Sequence, residues 1–149
     1  MSYGADAPYE YFKISANEVS IRCKLTKDTC IIDNENFYIK GQLNIPVDNN
    51  DKFCWNVWVL ISQSDFNKAE EMWIEENRFL EKPYRGKIAT KLECYPDTLN
   101  LDVMVYTQKI GIRPEIEVVE SLNPIYFEQQ SGINISRVIS FARQIIYRH

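Results

Sequence analysis

The stretch FYIKGQLNIPVDNNDKFCWNVWVLIS (residues 37–62) decides how this chain folds. In its first nine residues Phe37, Ile39, Leu43 and Ile45 fall on one side and Tyr38, Lys40, Gln42 and Asn44 on the other. That period-two alternation is the mark of a strand with one wetted face. Gly41 interrupts the apolar side, which points to a bulge or to the close approach of another element. After the polar loop PVDNND (46–51), residues 53–61 are apolar on both faces, with Trp55, Val57, Val59 and Ile61 opposite Cys54, Trp58 and Leu60. A strand apolar on both faces sits centrally in its sheet.

Upstream, Ser15 followed three residues later by Glu18 reads as a capping box that starts a short helix. The β-branched run TCIID (29–33) and the polar cluster Asp33-Asn34-Glu35-Asn36 predict a hairpin. Downstream, Ser64 opens a helix in which Phe66, Ala69, Met72, Trp73 and Leu80 recur at helical spacing, while Lys68, Glu70, Glu71, Glu75 and Glu76 cover the outer side. That stripe is expected on the sheet, and Lys82-Pro83 ends the helix.

Residues 84–92 (YRGKIATKL) form a weaker strand pattern. In CYPDTLNLDVMVYTQ (94–108), Tyr95-Pro96-Asp97-Thr98 is a turn launching a strand that carries Leu99, Leu101, Val103 and Val105 on one face and Asn100, Asp102, Met104 and Tyr106 on the other. Residues 112–119 (IRPEIEVV) give a further strand with Pro114 near its start. Asn134 caps a last helix with the apolar stripe Ile135, Val138, Ile139, Ala142 and Ile146, and with Arg137, Arg143 and Arg148 toward solvent. Several connections are too short for crossover helices. The expected fold is therefore α+β, a largely antiparallel β-sheet with about three helices packed on it, in a single domain over residues 1–149.

The chain has 149 residues, 45% hydrophobic and 13% aromatic, enough for a sizeable core and too apolar for a disordered segment. Its 17 Lys and Arg against 21 Asp and Glu give a net charge of −4, which repels phosphate backbones and argues against nucleic acid as a partner. The most apolar run, residues 53–62, is half of what a membrane-spanning helix needs, and the opening MSYGADAPYEY lacks a signal peptide's basic flank and apolar core. No membrane association and a cytoplasmic location are expected. Cys23, Cys30, Cys54 and Cys94 show no C-x-x-C spacing and read as reduced, structural thiols, with no metal and no cofactor implied.

The single histidine, His149, is the last residue, so a Ser-His-Asp or Cys-His arrangement has no credible base. There is no H-E-x-x-H, Walker loop or G-x-G-x-x-G, and five scattered glycines cannot build a phosphate cradle. Asp28, Asp33, Asp97 and Asp102 lie near strand ends and would make an acid and nucleophile pair only if two converged; their ordinary reading is turn formers and solvated strand residues. Trp55 and Trp73 fit buried faces. Trp58 falls on the opposite face, with Tyr38, Met104 and Tyr106 projecting from other strands; that face is either covered by another element or a partner-binding patch. Arg85 in PYRGK and Arg113 in GIRPE are held beside glycine and proline, placed either to grip a carboxylate bidentately or to anchor a loop to one of the surplus acids.

The candidate binding residues are thus Trp58, Tyr106, Arg85, Asp97 and Arg113, with no catalytic set. The first functional expectation is a non-enzymatic protein-binding domain, immunity-like or regulatory, using an acidic rim and the aromatic sheet face. The alternative is a carboxylate- and arginine-based small-ligand binder or hydrolase centred on Asp97, Arg85 and Arg113. Oligomeric state is left open.

Taken together, YGADAPYEYF, DTCIIDNENFYIKGQLNIPV, FCWNVWVLIS, PYRGKIATKLECYPDTLNLDVMVYTQKIGIRPEIEV and SGINISRV resemble a family of small bacterial proteins catalogued as domain of unknown function two-one-nine-nine. The likeness spans nearly the whole chain, and its most specific pieces are C-I-I-D with the following aromatic-glycine strand, W-x-x-W-V, and Y-P-D-T-L-N-L with the later R-P-x-I-E. The resemblance implies no established activity, substrate or catalytic residue. Relatives begin with a C-x-x-C segment that suggests a metal knuckle, whereas this chain begins Met1-Ser2-Tyr3-Gly4. They also carry histidine where this chain has Tyr106 and Asn123, so a histidine-dependent role is not expected here.

Overall fold

The computed structural model describes residues 2–148, with side chains from residue 3 to residue 146. His149 and the side chain of Arg148, both weighed above, lie outside that description. The elements run β1 (Ser2–Gly4), a 3-10 turn (Tyr9–Lys13), α1 (Ala16–Arg22), β2 (Cys23–Leu25), β3 (Thr29–Ile32), β4 (Asn36–Val47), β5 (Asp51–Ile61), α2 (Gln63–Glu71), a second 3-10 turn (Arg78–Leu80), β6 (Tyr84–Ile88), β7 (Asp102–Tyr106), β8 (Glu115–Val118), α3 (Pro124–Ser131) and α4 (Ile135–Arg148).

Two asparagine-rich turns build the centre. Asp33 and Asn34 both take left-handed φ angles of 55° and 54°, as a tight hairpin turn requires, and fold β3 against β4. Asn49 and Asn50 do the same at 70° and 62° between β4 and β5, which pair from Phe37 opposite Ile61 to Val47 opposite Asp51. The loop expected over 46–51 is accordingly shorter than its composition suggested, since Pro46, Val47 and Asp51 belong to strands.

From β4 to β8 the chain is a meander of antiparallel neighbours, and β8 then returns to β4 at Gln42 opposite Glu115. Five alternating strands leave the first and last pointing the same way, so the closing pair has to be parallel. The result is a mixed α+β fold: a closed five-stranded barrel inside an eight-stranded sheet, with four α-helices. The expected largely antiparallel sheet holds only in part. The β4–β8 and β1–β5 pairings are parallel, and closure joins the two ends of the β4–β8 meander, leaving β1 and β2 as the outer strands. The interior is filled by Ile39, Leu43, Val57, Val59, Val103, Val105 and Ile116.

Gly41 stands where the barrel closes. A Cβ there would lie 2.6 Å from the side chain of Ile116 and 3.1 Å from the carbonyl of Pro114. Gly41→Val is therefore expected to destabilise the protein by about 2 kcal/mol through overpacking, read from the urea midpoint. An unchanged midpoint would mean that β8 does not press on β4.

The other face of the β4–β5 ribbon is covered as well. Cys30, Ile32, Tyr38, Trp58 and Ala89 form a second apolar cluster, onto which Tyr11 and Ile14 of the N-terminal segment pack. Trp58 is 0% exposed, and its indole N–H donates to the Ala5 carbonyl at 3.0 Å. This corrects the partner-binding reading of Trp58, because the surface it was expected to offer is a core beneath residues 5–14.

The helices depart from their sequence patterns in informative ways. α2 begins two residues early, with the Ser62 side chain accepting from the Asp65 N–H, and ends at Glu71. Trp73, expected in the core, is 42% exposed, and Leu80 is 71% exposed. In α4 the buried positions are Val138 and Phe141, with Ile145 packed on the core, while Ile135, Ile139 and Ile146 face out. The face is rotated because Phe141 enters an aromatic pocket made by Phe53, Trp55 and Tyr95. α1 forms where expected, but Ser15 Oγ bonds the side chains of Asn17 and Glu18 instead of backbone N–H groups. α3 was missed, although Asn123 caps it, Pro124 takes its first turn and Gly132 ends it at φ 82°.

Candidate functional site

Past Glu71 the chain leaves α2 and crosses to β6 through residues 72–83, while residues 107–114 join β7 to β8. One side chain ties these two loops together. Arg78, only 7% exposed, donates from Nε to the Gln108 carbonyl at 2.8 Å, from Nη1 to Trp73 at 3.1 Å, and from Nη2 to Lys109 at 2.8 Å and Ile112 at 3.1 Å. A planar guanidinium can serve four divergent carbonyls at once, which no other side chain does. It also lies 5.4 Å from the centre of the Trp73 ring.

Between the loops so fixed, α2 and the edge formed by Asp28, Ile39 and Lys40 lies a cleft of about 660 Å³. That volume is within the range of small-molecule sites. Met72, Trp73, Leu80, Tyr84 and Ile112 give it apolar walls. Its charged lining is Lys40, Lys68, Arg78, Lys82 and Arg113 against Asp28, Asp65 and Glu81, a local cationic excess in a chain of net charge −4. Lys68 pairs with Glu81 at 3.0 Å, and Arg113 Nε with Asp28 Oδ1 at 2.9 Å. Burial lowers the proton affinity of Lys40, and Arg113 lowers it further, against the opposing pull of Asp6 and Asp28. Burial, with the Asp65 carboxylate adding to it, pushes the Tyr84 hydroxyl well above the usual range.

Of the five candidate residues from the sequence, Arg113 alone lines this cleft. Its pairing with Asp28 matches the loop-anchor reading. Arg85 is exposed on β6 opposite Met104. Asp97 is exposed in its turn at φ 43°, where the Asn123 amide donates to the Pro96 carbonyl at 2.6 Å. The trio Asp97, Arg85 and Arg113 is therefore not assembled into one site. Tyr106 is half-buried on β7, and the Glu117 carboxylate raises its hydroxyl. Of the four aspartates weighed as a catalytic pair, Asp33 is gripped by Arg22 at 2.9 Å, Asp102 by Lys87 at 2.9 Å and Asp28 by Arg113. They are held apart on separate cations.

Thiol chemistry has no better footing. Cys23, Cys30 and Cys54 are reduced thiols; burial pushes the Cys30 thiol up to about 12, and it raises Cys23 and Cys54 also. Among the described residues no three His, Cys, Asp or Glu side chains come together as a metal site, and no helix is long and apolar enough to cross a membrane.

Sequence reasoning missed Lys40, Met72, Arg78 and Ile112 and put Trp73 on the wrong side. The usable signal was the interruption of the helical stripe by Glu75-Glu76-Asn77-Arg78 before Phe79 and Leu80. Residues 1–133 match the model of a family described as an uncharacterized protein conserved in bacteria (DUF2199). The chain belongs to that family. No curated protein and no solved structure matches it. The DUF2199 match holds the whole barrel and every residue lining the cleft, while α4 lies beyond it.

Proposed function

We propose that this DUF2199 protein is a non-enzymatic binding protein that takes a small ligand in the cleft between the 72–83 and 107–114 loops. The observation that carries the reading is Arg78, a buried cation whose hydrogen bonds are spent on fastening the two loops that wall the cleft to each other. A cytoplasmic location fits the reduced thiols of Cys23, Cys30 and Cys54, which persist in a reducing compartment.

The amphipathic anionic dye 1-anilinonaphthalene-8-sulfonate tests the cleft. One dye is expected to bind per chain with enhanced emission, and Ile112→Asp to weaken it about tenfold by placing a desolvated carboxylate on the wall. Dye binding indifferent to Ile112→Asp would remove the cleft as the site.

The rim favours a second reading, a protein partner. Ile74 is 78% exposed, and Phe79, Leu80 and Ile110 on the same two loops are exposed as well. Under this reading a binding partner's affinity falls with Ile74→Asp and Phe79→Asp, neither of which lines the cleft, whereas dye binding inside the cleft persists.

A further inference from the structure

The cleft's charges are not evenly satisfied. Arg113 gives only its Nε to Asp28, and among the described residues neither of its Nη groups has a hydrogen-bond partner. Lys40 Nζ has no carboxylate within ion-pair distance among the described residues and lies 5.7 Å from the centre of the Trp58 ring. Asp6, the other acid in its field, is exposed and does not line the cleft. Two cations and one lining carboxylate leave a single positive charge around Asp28, in a cleft whose apolar lining includes Met72, Trp73 and Ile112. Asp28 holds Arg113 by one edge, so the guanidinium's outer fork remains open for a planar anion.

We infer that the ligand is an amphipathic monoanion, an apolar body bearing one carboxylate, with the carboxylate seated on the Arg113 fork beside Lys40 and the body against Trp73, Met72 and Ile112. This rests on the cleft reading above and adds the chemical class of the occupant. The lowered proton affinity of Lys40, caused first by burial and then by Arg113, agrees with it, since a partly buried ammonium beside a second cation gains from an incoming anion.

The test compares 4-phenylbutyrate with 4-phenylbutanol, which share the body and differ in charge, by calorimetry on the full chain. The acid is expected to bind about tenfold more tightly than the alcohol, as one charge-assisted contact allows. Lys40→Met, which keeps the apolar stem, is expected to erase that preference and leave the alcohol's affinity within about twofold. Arg113→Lys keeps the charge but loses the fork, and it is expected to weaken the acid alone. Equal affinities in the unaltered protein would overturn the anion assignment and leave the cleft reading standing. A preference for the acid that survives both substitutions would overturn the seat. Failure of both compounds to bind would overturn the inference together with the cleft reading. Thermal midpoints of the variants, compared with the unaltered chain, separate these outcomes from misfolding.

Discussion

Arg78→Met is expected to lower stability by about 3 to 4 kcal/mol, measured as a drop in the urea midpoint at unchanged slope. The side chain is nearly as long and as apolar along its stem, so packing is largely kept and the loss comes from hydrogen bonds. Four carbonyls, of Trp73, Gln108, Lys109 and Ile112, lose their donor together. Each unsatisfied carbonyl costs about 1 to 3 kcal/mol when it stays buried, and relaxation of the two loops toward water recovers part of the sum. Because the loops are the cleft walls, the recovery itself should splay the site, and dye binding should weaken even in the folded fraction. Arg78→Lys is expected to recover less than half of the lost stability. A compact ammonium has three donors at one point and cannot reach carbonyls on both sides of a planar fork. A loss below about 1 kcal/mol for Arg78→Met would show that the carbonyls find water easily and that the loops do not depend on this residue.

That arginine also marks where sequence reading ran out. Strands β4 and β5 were legible because alternation and Asn or Asp turns are local signals, present within a dozen residues. Closure of the barrel was not, because it depends on β8 meeting β4 across 73 residues of chain at Gln42 and Glu115, with no composition of its own. The side of the strand on which Trp58 lies could be read, but its cover could not. Residues 5–14 carry no periodicity, and the deciding bond runs from an indole to a backbone carbonyl. Trp73 misled for a related reason: helical spacing continued past Glu71 although the helix did not.

Within the candidate site, Arg113 pairs with an acid of the chain, as the loop-anchor alternative expected. Its partner Asp28 is 85 residues away and indistinguishable from other turn aspartates by sequence alone. Arg78 gave no signal because its partners are main-chain oxygens, which every residue has. The family likeness, carried by several separated motifs, was legible and extends over residues 1–133.

Phe141→Ala should show whether α4, which lies beyond those residues, belongs to the folded unit or merely rests on it. Phe141 is fully buried, with ring centres 5.2 Å from Phe53, 5.1 Å from Trp55 and 5.6 Å from Tyr95. Arg137 covers its other side at 4.5 Å, while its Nε donates at 2.7 Å to Glu128, which also accepts from the Tyr95 hydroxyl. Removing the ring opens a cavity among Phe53 and Trp55 of β5 and Tyr95 of the β6–β7 connection, the last held by Glu128 of α3, which cannot collapse far, so a loss of about 4 kcal/mol is expected from the urea midpoint. Phe141→Leu refills most of the space and should cost about 1 to 1.5 kcal/mol. If α4 instead undocks as a unit, the first substitution will melt the helix alone. Circular dichroism would then lose one helix's signal at low urea, ahead of a main transition that barely moves. A single shifted transition is the expected outcome, because an undocked α4 would leave Phe53, Trp55 and Tyr95 open to water on one face of the barrel.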